Sequence, residues 1–167
     1  MEQSDRDNQG ETPLMQAAVA GNTEVLKYLL AQGADPLLQN KLEIGLLHLA
    51  ALSSNALTIE AVLSNDFDIN ARCGPFDLTT LLFCLMKGKL EAANYLLRRG
   101  ADEHFKIEEG LTVLSAAAIR GDVAAIEMLL KRGHNPNSRD GCDKTPLMWA
   151  AEKIGRASCR ERVCQYV

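Results

Sequence analysis

The side chains that could do chemistry are few and widely spaced in this 167-residue sequence. His48, His104 and His134 form no His-Glu-x-x-His motif, so a zinc site would require the fold to bring distant segments together. The cysteines at 73, 84, 142, 159 and 164 form no Cys-x-x-Cys pair, and no phosphate-binding loop, nucleophile elbow or EF-hand loop is present. We therefore predict no metal, no cofactor and no catalytic centre, and we do not expect an enzyme.

The composition narrows the class of partner and the compartment. The formal net charge is −4, whereas non-specific binding to nucleic acid depends on clustered lysine and arginine. The sequence has no run of about 18 apolar residues that could span a membrane, and Met1 to Gly10 is too polar for a secretory signal. An odd number of scattered cysteines is typical of a reducing compartment. We expect a monomer in the cytoplasm or the nucleus that binds neither nucleic acid nor a membrane.

An internal repeat in the sequence predicts the helices that position these side chains. A Thr-Pro-Leu-like segment recurs with spacings of 33, 34, 33 and 33 residues, and its first residues are Thr12, Gly45, Thr79, Thr112 and Thr145. A threonine hydroxyl can cap the helix that follows it, and the leucine two residues later suits a buried anchor. Glycine residues are suited to end this helix and a second apolar helix further along the repeat. The first helix of a repeat is expected to end at Gly21, Gly88 or Gly121. The second helix is expected to end at Gly33, Gly100 or Gly133.

These motifs and their common period resemble the ankyrin repeat family from Asp7 to about Lys153. The resemblance implies an all-α solenoid of stacked helix-turn-helix units with projecting β-turn loops. It implies a polar N-terminal lead at 1–6, four full repeats at 7–39, 40–73, 74–106 and 107–139, and a truncated fifth repeat at 140–153. Ser54 and Asp66 replace motif glycines, and an extra residue lies between Ala71 and Leu78. We therefore expect the second and third repeats to be the least regular, with a distorted third turn.

Within the repeats, the candidate reactive side chains have simpler structural interpretations. His48 occupies the histidine position of the family motif, which favours a structural role, and His104 and His134 are expected to be solvated turn residues. Cys84 could be a nucleophile in principle, but its position is alanine in the other repeats and favours a small core residue. The carboxylate run between Asp102 and Glu109 favours a solvated turn over a docking site for a basic partner.

The residues most informative about function are apolar ones at turn tips and at the ends of the first helices. The resemblance implies that turn tips and the exposed sides of the first helices line a concave face. Such positions are expected to be polar, and exposed apolar patches usually mark interaction sites. The predicted partner-binding residues are Val19, Leu42, Ile44, Leu52, Phe76, Leu78, Met86, Leu111 and Ile119. The alternative is that these side chains pack between neighbouring repeats.

The resemblance also implies a modification. Asparagine hydroxylases act on ankyrin asparagines shortly after the second helix, and Asn70 and Asn137 match that place. A turn-stabilising role for both asparagines is the alternative that we favour.

The C-terminal segment departs from the repeat. Residues 154–163 resemble the translation of a sequencing-library adapter, although the chain then continues with Cys164. We expect 154–167 to be a non-native tail and exclude it from fold reasoning, the alternative being a genuine basic tail. Without its three arginines and one glutamate the formal charge changes from −4 to −6.

Three functions remain open from the sequence. The leading one is a scaffold that binds another protein through the concave face. The second is a regulatory ankyrin segment truncated from a larger enzyme or channel, which the incomplete fifth repeat suggests. The third, recognition of a small ligand or an oligonucleotide, is disfavoured by the acidic charge and the 5% of aromatic residues.

Overall fold

A computed structural model describes residues 6–107 and 110–155, with side chains described as far as Glu152. This part of the chain forms nine helices and one short antiparallel hairpin. The first helices of the successive repeats are α1 Pro13–Val19, α3 Leu46–Leu52, α5 Thr80–Lys87, α7 Val113–Arg120 and α9 Pro146–Gly155. The second helices are α2 Thr23–Ala31, α4 Ala56–Leu63, α6 Leu90–Arg98 and α8 Val123–Lys131. The hairpin strands are β1 Arg72–Cys73 and β2 Leu78–Thr79.

The helices are arranged in two rows, as expected for a solenoid. Helix α1 packs on α3, α3 on α5, α5 on α7 and α7 on α9, while α2, α4 and α6 form the second row and α8 packs on α7. The motif leucines of the first four repeats are at most 2% exposed in this core, and they are Leu14, Leu47, Leu81 and Leu114. The matching Leu147 is 77% exposed, because no second helix covers α9 in the described part of the chain.

Threonine hydroxyls cap four of the five first helices, which confirms the interpretation of the motif threonine. Thr12, Thr79 and Thr112 each accept a hydrogen bond from the backbone N–H three residues later, at 3.1–3.3 Å. Thr145 makes the same contact with the N–H of Met148 at 3.4 Å. Gly45 has no side chain for this purpose, and α3 has no side-chain cap.

The second and third repeats are more regular than the sequence predicted. Ser54 and Asp66 adopt φ values of 58° and 59°, the left-handed conformation that glycine provides in the other repeats. A four-residue turn opens four of the repeats, at 7–10, 40–43, 74–77 and 140–143, and in each the N–H of the fourth residue donates to the carbonyl of the first. In the remaining repeat the N–H of Gly110 likewise donates to the carbonyl of Ile107. The third turn is therefore not distorted, and the extra residue lies just ahead of it, between Asp68 and Gly74.

Candidate protein-binding surface

The end of each first helix carries an apolar residue, but these residues are unequally exposed. Val19 is 38% exposed, and Leu52 and Ile119 are half-buried. Met86 is only 9% exposed and belongs to the hydrophobic core. The prediction that Met86 is available to a partner is therefore wrong.

The apolar residues of the turns divide into two groups. Leu42 is 42% exposed and Phe76 is half-buried, and each is the third residue of its four-residue turn. Ile44, Leu78 and Leu111 are at most 8% exposed, which corrects the prediction that they face a partner. Each of these three precedes the residue that caps a first helix, where an apolar side chain commonly packs back on the helix as a hydrophobic staple.

Five of the nine predicted residues remain at least partly exposed, although Leu52, Phe76 and Ile119 also pack against the hydrophobic core. We call them the apolar strip: Val19, Leu42, Leu52, Phe76 and Ile119. The strip contains side chains from the first four repeats. It does not include a group with acid, base or nucleophilic chemistry.

His48 is buried between the second and third repeats. Its Nε2 lies 3.1 Å from the carbonyl oxygen of Leu78 and 3.3 Å from the hydroxyl of Thr80, and its ring meets Phe83 edge-on. Burial lowers the pKa of His48 to about 4, although the bond to Leu78 opposes this shift. The imidazole is therefore neutral at pH 7 and joins two repeats, in agreement with the structural interpretation.

The cysteine thiols of the core are unreactive. Cys84 is fully buried, and burial raises its pKa to about 12. Burial likewise raises the pKa of Cys73 to about 12, with a smaller contribution from the charge of Asp77. Since the thiolate is the reactive form, the structure supports a core role for Cys84 and no nucleophile.

A polar cluster joins the third and fourth repeats. The Glu103 carboxylate accepts hydrogen bonds from Arg132 Nε at 2.7 Å and Arg132 Nη2 at 3.1 Å, and His134 Nε2 lies 3.1 Å away. The hydrogen bond from Arg132 is the main cause of the lowered pKa of Glu103. His134 is therefore not a solvated turn residue as predicted, whereas the neighbouring His104 is exposed. Of the predicted carboxylate run, Glu108 and Glu109 lie outside the described residues.

A second inter-repeat contact was not predicted from the sequence. The Tyr95 hydroxyl of α6 and the Arg99 guanidinium both donate to Glu60 of α4. The bond from Tyr95 is the main cause of the lowered pKa of Glu60. The available signal was the spacing of 35 residues between Glu60 and Tyr95, close to one repeat length.

Comparison with known proteins identifies the family. The model for ankyrin repeats in three copies matches residues 47–140 and again 81–166, and the single ankyrin repeat model matches residues 9–41. The chain belongs to the ankyrin repeat family.

Curated relatives with this ankyrin region are mostly much longer proteins. A putative palmitoyltransferase ZDHHC13 of Danio rerio is 29% identical over 84% of this chain, which spans 22% of that protein. A transient receptor potential cation channel subfamily A member 1 homolog of Caenorhabditis elegans is 33% identical over 85% of this chain, which spans 12% of the channel. A putative ankyrin repeat protein of fowlpox virus is 26% identical over 86% of this chain and is covered over 76% of its own length.

The two asparagines that match the hydroxylation position differ in their surroundings. The Asn70 side-chain oxygen accepts a hydrogen bond at 2.8 Å from the backbone N–H of Asp102, which belongs to the next ankyrin repeat. Asn137 is exposed, and its backbone N–H donates to Asn135 at 2.9 Å. The contact to Asp102 supports a structural role for Asn70, and hydroxylation of either residue stays a prediction.

The described residues offer no other chemical centre. Within them, no group of three histidine, cysteine or acidic side chains could hold a metal ion. The helices described here are also too short or too polar to cross a membrane. Ankyrin repeats are non-catalytic interaction modules.

Proposed function

We propose that this ankyrin array is a scaffold that binds a partner protein through its concave face, with the apolar strip as the anchor. The observation that carries the proposal is the exposure of Val19 and Leu42, at 38% and 42%, where polar residues are expected. Exposed apolar side chains of this kind are typical of interaction surfaces and contribute most of the energy when a partner buries them. The strip has no catalytic group, so the array acts by binding and not by catalysis.

The proposal is tested with two matched pairs of substitutions. Val19→Ser with Leu42→Ser removes anchors from the strip, whereas Val25→Ser with Leu57→Ser removes exposed side chains from α2 and α4. Both pairs change one valine and one leucine, and all four residues are at least 38% exposed, so neither should disturb the fold.

We expect the strip pair to weaken capture of the natural partner roughly 10-fold or more, since hot-spot truncations commonly cost at least 2 kcal/mol. The readout is quantitative pulldown from an extract of the source organism, with circular dichroism to confirm equal helix content. Unchanged capture by the strip pair, or equal loss with the control pair, would contradict the proposal.

A second candidate function is a regulatory ankyrin segment of a larger enzyme or channel. The observation that favours it is the length of the relatives, because this chain spans 22% of the zebrafish palmitoyltransferase and 12% of the nematode channel. Sequencing the intact transcript beyond Lys153 tests it. A catalytic or membrane-spanning domain in the same reading frame would support this function, and a stop codon soon after the repeats would oppose it.

We further propose that the array is a monomer in the cytoplasm or the nucleus and that it binds neither a membrane nor nucleic acid. The buried cysteines Cys73 and Cys84 form no disulfide, which suits a reducing compartment. Sedimentation equilibrium should give a mass near 18.2 kDa. A concentration-dependent increase towards twice that mass would exclude the monomer.

A further inference from the structure

A cleft lies between the first two repeats, where the loops that follow α2 and α4 meet the start of α3. Its volume is about 450 Å³, and Leu37, Leu47 and Phe67 are among the residues that line it. None of the five residues of the apolar strip lines this cleft. Leu52 of the strip is the last residue of α3, at the other end of that helix. The cleft is therefore a surface separate from the apolar strip.

Two apolar side chains of the cleft are available to a ligand. Leu37 is 77% exposed, and only Leu147 matches it among the large apolar side chains of the described residues. Phe67 is half-buried and packs against the hydrophobic core. Ligand-binding clefts typically have volumes of roughly 300–1,000 Å³ and combine an apolar lining with a few polar groups. The volume and the apolar lining of this cleft agree with that description.

Most of the charged groups at the cleft are carboxylates. Asp66 and Asp68 line it and are exposed. Asp35 adjoins it, because its carboxylate accepts a hydrogen bond from the N–H of Leu37 at 2.9 Å. Asp68 accepts a hydrogen bond at 2.9 Å from the N–H of Asn70, which uses one of its two carboxylate oxygens. None of these three aspartates forms an ion pair with another described residue.

The cations at the cleft do not balance these carboxylates. Arg72 lines the cleft, and its guanidinium lies 2.5 Å from the carboxylate of Asp77. Arg6 adjoins the cleft, since its guanidinium donates at 2.8 Å to the carbonyl of Gln39. Asp77 and the three aspartates at the cleft are therefore four carboxylates against two guanidinium groups. This excess of negative charge attracts a positively charged side chain.

The corresponding cleft between the third and fourth repeats has different chemistry. Its volume is about 240 Å³, and His104 and His134 occupy the positions of the leucine and the phenylalanine. A glycine and an asparagine replace the two aspartates that line the first cleft, and Glu103 pairs with Arg132. The combination of apolar and acidic side chains thus belongs to the first cleft and does not follow from the ankyrin fold.

We propose that the cleft between the first two repeats is a second docking site, which binds a protein segment with a bulky apolar residue beside a lysine or arginine. The apolar side chain contacts Leu37 and Phe67, and the cation lies near Asp66 and Asp68. Complementary charge of this kind speeds association and selects against acidic partners. The inference goes beyond the proposed function, because a partner bound here need not touch the apolar strip.

A phage-displayed library of random peptides, selected against the full chain, tests this proposal. Peptides of about 12 residues are long enough to cross from one repeat to the next, since packed helices lie roughly 8–10 Å apart. We expect at least one enriched family to combine lysine or arginine with leucine, isoleucine or phenylalanine. A member of that family is synthesised with a fluorophore, and its Kd is measured by anisotropy for the unaltered chain and for variants in two matched comparisons.

The first comparison tests the apolar contact. Leu37→Ser removes a side chain from the cleft, whereas Leu57→Ser removes one of similar exposure, 70% against 77%, from α4. Circular dichroism checks that both variants keep the helix content of the unaltered chain. We expect Leu37→Ser to weaken binding roughly 10-fold or more and Leu57→Ser less than about twofold.

The second comparison tests the charge. Asp66→Asn with Asp68→Asn removes two charges from the cleft, and asparagine tolerates the left-handed backbone of residue 66, where φ is 59°. Glu91→Gln with Glu127→Gln removes two exposed charges from α6 and α8. We expect the aspartate pair to weaken binding roughly 3- to 10-fold and the glutamate pair less than about twofold, since exposed ion pairs contribute modestly and locally.

The docking site would be overturned by no enrichment, by enriched peptides without a cation, or by equal losses in the cleft variants and their controls. Peptides that lose affinity with Val19→Ser and Leu42→Ser but not with Leu37→Ser would also overturn it, and would leave the proposed function standing. Peptides that lose affinity with Leu37→Ser but not with those two substitutions would support the docking site independently of the proposed function.

Discussion

His48 has a side chain capable of acid-base chemistry, yet its position ties its protonation to folding. Burial lowers its pKa to about 4 in the folded chain, against 6.5 for a free imidazole. The unfolded chain therefore binds more protons between these values, and this group's contribution to stability is lost as pH falls from 6.5 towards 4. We predict that the free energy of unfolding decreases by about 2 kcal/mol between pH 7 and pH 5.

Urea unfolding of the unaltered chain and of His48→Gln at both pH values checks this prediction. Glutamine can keep a donor near the Leu78 carbonyl but cannot titrate. Between pH 7 and pH 5, the free energy of unfolding of His48→Gln should therefore decrease by less than half as much as that of the unaltered chain. The carboxylates with lowered pKa, Glu60 and Glu103, affect stability mainly below pH 5. An equal decrease in the free energy of unfolding with pH in both proteins would show that His48 does not cause the pH dependence.

For individual residues, the sequence predicted roles that depend on adjacent residues in the chain. It missed roles that depend on contacts with the neighbouring repeat. The threonine caps and motif leucines depend on a few adjacent residues, so a single repeat reveals them. Ile44, Leu78 and Leu111 are buried because each directly precedes a helix cap, a signal that was present but was outweighed by their place near a turn tip. The contact of Glu60 with Tyr95 depends on side-chain conformations in two repeats, which spacing alone does not determine.

The helices and turns tolerate the departures from the ankyrin motif because the backbone keeps its conformation. Glu43, Asp77 and Asp143 have φ values of 53–59°, at the turn position where the other two repeats have Gly10 and Gly110. A residue with a side chain adopts this conformation at a cost of about 1–2 kcal/mol, which packing of the repeats offsets. The second and third repeats are therefore less irregular than expected, and their departures are limited to the uncapped helix α3 and the extra residue ahead of the third turn.

Gly45 replaces the motif threonine at the start of helix α3, and this replacement has a measurable effect on stability. Its backbone is extended, with φ −90° and ψ 170°, and no atom lies within 4 Å of a Cβ placed there. Gly45→Thr should supply the missing cap of α3 and reduce the freedom of the unfolded chain, raising the free energy of unfolding by about 0.5–1 kcal/mol. Urea denaturation at pH 7 measures the change.

Gly110→Ala serves as the control for Gly45→Thr, because Gly110 is a glycine whose backbone conformation and surroundings do not accept a side chain. Its φ is 76°, and a Cβ atom there would clash with the backbone nitrogen of Gly141 in the next turn. We expect a loss of at least about 2 kcal/mol, since both the left-handed backbone and the close approach are disturbed. A loss of stability in Gly45→Thr comparable to that in Gly110→Ala would show that the cap is not what α3 lacks.

The whole molecule is a stack in which each repeat buries its core against the next, and its surfaces follow from that arrangement. Interior repeats bury their motif leucines almost completely, whereas Leu147 of α9 is 77% exposed. The period of the sequence was enough to predict the stack and its two rows of helices. It was not enough to separate exposed from buried residues among the nine predicted ones, because that distinction depends on how closely neighbouring turns approach.

The central claim is that a partner protein contacts the apolar strip, and photo-crosslinking measures this contact directly. A benzophenone amino acid replaces Val19 in the strip or, as the control, Val25 on α2, two valines of nearly equal exposure at 38% and 42%. After irradiation in an extract of the source organism, we predict a discrete crosslinked partner from position 19 and none from position 25. A partner crosslinked equally from both positions, or from position 25 alone, would contradict the account.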